Sequence, residues 1–244
     1  MYDPPGYVWA STSTAVIGIA AATCAVLYGG VVRAGLGRPR ATLLAGGAAV
    51  VLGGWYTASA MIAGHGWYDH QTPWLPVAFA GFLTLLLALR RIPVVARALA
   101  APGTASRLPL PHTFRVGGLA MLLTMALGHL PALFAVPASM GDIATGIAAP
   151  LAALRLAHGT GRRPALWFNA FGLADLVVAV TLGALTAFQL ISHTPSAIGD
   201  LPLALIPTAA LPLLLVLHIT AVSALSRARE TSPTLAAPLT PTAA

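Results

Sequence analysis

The chain has 244 residues, a formal net charge of +7, 57% hydrophobic residues and only 8% charged ones, with a mean hydropathy of +0.83. A soluble domain is about one-quarter charged, and so few charges cannot cover a surface in water, so lipid is the solvent. Nucleic-acid binding is excluded as the reason for the positive charge, because the arginines lie at the ends of apolar runs, where anionic headgroups attract them.

A span needs about 20 residues to cross roughly 30 Å of hydrocarbon. Seven apolar runs qualify, predicting an all-α polytopic transmembrane helix bundle. The first runs over 12–32, the second over 42–63 and the third, a short one, over 74–89. The fourth runs over 116–136 and the fifth, also short, over 139–157. The sixth covers 165–191 and the seventh 201–225. Residues 1–226 form one transmembrane domain, and 227–244 read as a disordered cytoplasmic tail of Thr, Ser, Pro and Ala. The first run lacks the basic flank of a signal peptide and is expected to stay as a helix.

All 13 basic residues are Arg, and they fall in every second gap between the runs. Arg33, Arg38 and Arg40 share one gap; Arg90, Arg91, Arg97, Arg107 and Arg115 share the next. Arg155, Arg162 and Arg163 form a third group, and Arg227 and Arg229 follow the last run. The intervening gaps hold Asp3, Asp69 and Asp200 and no Arg. Lys and Arg mark cytoplasmic loops, so the N-terminus is placed outside and the C-terminus in the cytoplasm of a bacterial inner membrane. Residues 92–100 are expected to form a short interfacial helix before Pro102 and Gly103 break it.

Smaller signals punctuate the runs. Gly46 and Gly47 recur seven positions on as Gly53 and Gly54, so the two pairs share a helix face that suits close packing. Trp67, Tyr68 and Trp74 read as an interfacial aromatic belt, with His65, His70 and His193 solvated at the same level. Pro207 and Pro212 fall inside the seventh run, where each removes a backbone hydrogen bond and promotes a kink. The single cysteine, Cys24, allows no disulfide framework and reads as a packing residue.

Asp142 and Asp175 are the acidic residues within the spans. Ionisable groups inside a membrane are costly and mark candidate functional sites. At 1.5 Å per residue Asp142 lies roughly 20 Å from Arg155, Asp175 roughly 18 Å from Arg163 and His129 roughly 21 Å from Arg115. The three thus share a depth near the midplane. His218 lies lower, roughly 13 Å from Arg227, and Asn169 lower still. Asn169, Gly172, Asp175, Ala179, Gly183 and Thr186 fall on one stripe of the sixth helix, and Asp142, Thr145, Gly146, Ala149 and Ala153 form a similar stripe on the fifth. Asp175, Asp142, His129, Asn169 and His218 therefore form the candidate substrate or proton site. A competing reading takes Ser139-x-x-Asp142 as a capping box with Ser139 as N-cap. His112 and His158 are placed in cytoplasmic loops.

Phe134-Ala-Val-Pro-Ala-Ser-Met-Gly-Asp142 and Trp167-Phe-Asn-Ala-Phe-Gly-Leu-Ala-Asp-Leu-Val-Val-Ala-Val180 resemble a group of uncharacterised bacterial integral membrane proteins. That group pairs an FALPAGxGD-like segment with an NxxGxxDLVVAV-like one, and Phe114-Arg-Val-Gly-Gly118 is similar to its approach to the fourth span. The resemblance covers about the second half of the chain, departs from the pattern at Ser139 and Met140, and implies a membrane family without an activity.

Three functional classes remain. The first is a small-solute or proton-linked transporter; no internal repeat is visible, and a homo-oligomer would supply the missing symmetry. The second is a membrane-embedded metal-dependent enzyme or redox protein, in which His129, Asp142 and Asp175 would supply the N and O ligands. The third is a receptor or assembly subunit whose polar groups only specify packing. No lysine exists to form a retinal Schiff base, which excludes retinal. No P-loop, HExxH, CxxC or GxSxG occurs, and the cofactor is otherwise left open.

Overall fold

A computed structural model describes residues 3–69, 72–188, 190 and 196–230. All regular structure among them is helical. Helix α1 spans Gly6–Arg33, α2 Arg38–Gly64, α3 Trp74–Leu89 and α4 Pro93–Ala100. A 3₁₀ segment, Leu110–Gly118, leads directly into α5, Leu119–Ala126. Then follow α6, Ala132–Ala157, α7, Arg162–Ala187, a π-helical turn at Ile206–Ala210 and α8, Leu211–Glu230.

Five of these helices are long and apolar enough to cross a membrane: α1, α2, α6, α7 and the π turn with α8. Helices α3 and α4 make a sixth candidate if counted together, although they bend by 80° at their junction. The short helix expected over 92–100 is present as α4. Helix α8 is the central element. Most of its apolar window is buried, 72%, against 11% for α2. It packs on α3 and α7, while α1 contacts α2, α4 and the 3₁₀ segment, and α6 lies against the 3₁₀ segment and α7. Leu213, Leu214 and Leu217 of α8 join Val16 and Ile19 of α1 and Phe82 of α3 in the main core. Phe82 also stacks on Trp55, with ring centroids 4.9 Å apart.

The fourth and fifth expected spans need correction. The chain breaks at Leu127–Pro131 rather than near Pro137: Gly128 adopts φ 82° and Pro131 precedes the first turn of α6. Pro137 and Pro150 lie inside α6, as membrane helices tolerate. Ser139 is therefore not an N-cap but a mid-helix residue, with its hydroxyl buried and unpartnered among the described residues. The fourth segment also starts earlier than Val116, because the nine residues from Leu110 are already 3₁₀. So long a 3₁₀ run is uncommon. It is wedged between α1 and α6 at backbone distance: a Cβ on Gly146 would lie 2.7 Å from the Val116 amide nitrogen.

Two further expectations change. Gly46, Gly47, Gly53 and Gly54 face outward, with nothing among the described residues within 4 Å of a Cβ built on any of them, so the close approach they allow is not made among those residues. Pro207 lies in the π turn and Pro212 in the first turn of α8, which continues to Glu230, so that the first four residues of the expected tail are helical. Residues 231–244, His70 and His193 lie outside the described residues. In an α-helix the Thr208 carbonyl would accept from residue 212, which is Pro; here it accepts from Trp55 Nε1 at 2.8 Å. The aromatic belt is split: Trp67 and Trp74 are exposed, whereas Tyr68 is buried with its hydroxyl 3.1 Å from Ser59 Oγ.

Candidate functional site

Arg115 is the centre of the polar interior. It projects from the 3₁₀ segment and is 2% exposed. Its Nε donates to Asp142 Oδ1 on α6 at 2.7 Å, and its Nη2 donates to Asp175 Oδ2 on α7. Its Nη1 contacts His218 Nε2 on α8 at 3.2 Å. Three helices thus converge on one guanidinium, whose planar fork suits several acceptors at once.

The donors fix the direction of the whole chain of bonds. Arginine has no acceptor, so His218 Nε2 accepts and its Nδ1 carries the proton. That Nδ1 donates to Asn169 Oδ1 at 2.9 Å, and Asn169 Nδ2 donates to the Ala165 carbonyl at 2.7 Å. His218 is therefore a neutral imidazole in this arrangement. A proton on Nε2 would set a second cation against Arg115 and break the contact.

Small residues make the convergence possible. A Cβ on Gly141 would run into the Asp175 carboxylate, and one on Gly172 would run into the His218 ring. A Cβ on Gly118 would lie 2.6 Å from Asp142 Cβ. Asn169, Gly172 and Asp175 occupy one face because they are three residues apart on a 3.6-residue helix.

His112 completes the cluster. It is 1% exposed, and its ring lies 3.9 Å from that of His218. Phe168 closes the group edge-on at 5.7 Å from His112. The His112 Nδ1 is buried without a hydrogen-bond partner among the described residues. No group of three or more His, Cys, Asp or Glu side chains among them is arranged to hold a metal ion.

The family described as Domain of unknown function (DUF8737) matches residues 72–226. The chain belongs to this family. No curated protein and no solved structure matches it. The DUF8737 stretch contains the whole cluster, from His112 and Arg115 to His218, while α1 and α2 precede it.

Of the five residues singled out in the DUF8737 chain, four meet: Asp142, Asp175, Asn169 and His218. His129 does not join them. It sits between α5 and α6, where its carbonyl accepts from the Ala197 amide, roughly 18 Å along the segment from Arg115 by helical rise. Two members escaped the sequence reading, Arg115 and His112, both assigned to a cytoplasmic loop. A signal for Arg115 was available. Two carboxylates inside an apolar bundle require a cation, and Arg115 is the arginine that directly abuts the fourth run, with Gly117 and Gly118 to admit it. His112 carried no comparable signal. Of the remaining histidines, His65 is exposed and bonds the Met61 carbonyl through Nδ1 at 2.7 Å, and His158 ends α6 in an exposed position.

Proposed function

We propose that this DUF8737 protein is a seven-pass protein of a bacterial inner membrane that moves a proton, alone or with a small solute, through the Arg115 centre. The observation that carries the reading is one guanidinium shared by two carboxylates and a neutral imidazole. With both carboxylates ionised the centre holds two negative charges against one positive. A single proton makes it neutral, and a charge count that one proton balances suits a buried proton-handling site.

Seven passes follow from counting α3 and the joined 3₁₀–α5 segment with the five long helices. The joined segment rises about 30 Å, from nine residues at about 2 Å and eight at 1.5 Å, which matches the hydrocarbon thickness. The arginines outside the centre then fall on one side, favouring the N-out orientation. His112 precedes Arg115 by three residues on the 3₁₀ segment, nearer the arginine-bearing loop, and supplies a second imidazole through which a proton would reach the centre.

The test is proton flux in liposomes carrying a pH-sensitive dye, driven by a potassium diffusion potential. Wild type and the exposed control Arg40→Gln should acidify the lumen, and Asp175→Asn should not. Undiminished flux in Asp175→Asn would remove that residue from the mechanism.

A second reading has one observation in its favour. All three guanidinium nitrogens of Arg115 are occupied, which is also what a packing keystone in a receptor or assembly subunit would show. Absence of wild-type flux, with normal folding, would select it. The metal-dependent reading has less support, since Arg115 engages both carboxylates and His129 stands apart from them.

A further inference from the structure

A groove of about 410 Å³ opens between α6 and α7, away from the Arg115 centre. Alanines 144, 148 and 152 form its floor, Trp167 and Phe171 form one wall, and Arg155 closes one end. Trp167 is 77% exposed and Phe171 51%. The floor from Ala144 to Arg155 is about 16 Å long by helical rise. Such a slot accommodates an extended hydrocarbon chain.

Its closed end has the opposite chemistry. Arg155 lies in the last turn of α6 and Arg163 in the first turn of α7. Both are exposed, and neither has a carboxylate partner among the described residues. Helix α7 begins after Gly161, which packs on the backbone at Arg155 and so keeps the two arginine-bearing helix ends together. Asp3 and Asp200 lie at the far end of the bundle, near the end of α2. An apolar slot that ends in two guanidinium groups complements one kind of amphiphile.

We propose that this groove binds an anionic phospholipid of the arginine-side leaflet, with one acyl chain over the alanine floor and the phosphate between Arg155 and Arg163. Basic pockets between membrane helices recognise acidic headgroups in this way. The inference does not depend on the proton reading, because the groove shares only Phe168 with the Arg115 centre and none of its charged groups.

Native mass spectrometry of the full chain in detergent, titrated with phosphatidylglycerol or with phosphatidylcholine of the same acyl chains, tests it. Phosphatidylglycerol should bind in preference, and Arg155→Gln with Arg163→Gln should weaken it about tenfold. Ala148→Leu, which fills the floor without changing charge, should weaken it as well. The pair Arg38→Gln and Arg40→Gln removes the same charge elsewhere and should leave binding unchanged. Equal binding of the two lipids, or an equal loss in that control pair, would overturn the proposal.

Discussion

Arg115 and Asp142 are 27 positions apart in sequence, and the Arg115 Nε lies 2.7 Å from Asp142 Oδ1. This contact ties the 3₁₀ segment to α6, while the bond from the same side chain to Asp175 adds α7. Removal of Arg115 would leave two carboxylates buried without a counter-charge, and breaking a buried pair in this way costs about 3–5 kcal/mol. Arg115→Leu should therefore lower stability by about that amount in detergent unfolding followed by circular dichroism. Adding Asp142→Asn and Asp175→Asn should recover most of the loss. A triple variant no more stable than Arg115→Leu alone would show that the ion pairs are not the reason.

The glycines divide into two groups with opposite expectations. Gly141→Ala and Gly172→Ala place a methyl group against Asp175 and His218, and overpacking of this kind costs about 1–3 kcal/mol. Gly46→Ala and Gly53→Ala meet nothing within 4 Å among the described residues and should be neutral, or stabilising by up to about 1 kcal/mol through helix propensity. The comparison is read from midpoint temperatures of the four variants, and equal effects in both groups would contradict it.

Trp55 donates to the Thr208 carbonyl, whose α-helical donor position is taken by Pro212. Trp55→Phe keeps a ring to stack on Phe82 but removes the N–H. A buried acceptor without a partner costs about 1–3 kcal/mol. The substitution should lower stability by that amount, and hydrogen exchange should rise in the π turn before it rises in the rest of α8.

Tyr68 lies in the loop after α2. Burial pushes its phenol up, with a smaller opposing effect from the Ser59 hydroxyl. The folded state thus favours the neutral phenol. Its contribution to stability is complete below the unfolded value of about 10 and is lost as pH rises from there through the higher folded value. Subtracting the Tyr68→Phe spectrum from wild type in an alkaline titration at the phenolate band should isolate one ionisation above pH of about 10. A midpoint below that would mean the loop is open to water.

Much of the helical order was legible in sequence because lipid imposes it. Span length follows from hydrocarbon thickness, and the third run, 74–89, coincides with α3. The stripe on α7 was readable too: Asn169, Gly172, Asp175 and Thr186 are buried, while Val177 and Val180 are exposed. The depth ladder set Asp142 and Asp175 at one level, and the structure joins them through Arg115. It set His218 lower, yet His218 meets the same guanidinium, because the length of a side chain spans such a difference. The ladder failed for His129 because it was counted from Arg115, which itself lies at the depth of the carboxylates.

By itself, then, the sequence determined the solvent, the helical class and the inward faces of α6 and α7, since each depends on local composition and helical period. Tertiary structure decided what those faces meet. Whether Arg115 ends in water or between two carboxylates depends on a 3₁₀ segment inserted between α1 and α6, on glycines that leave room for side chains of other helices, and on His218 arriving from α8 103 positions away. Those are long-range contacts, and no local pattern of residues encodes the partner that lies across the bundle.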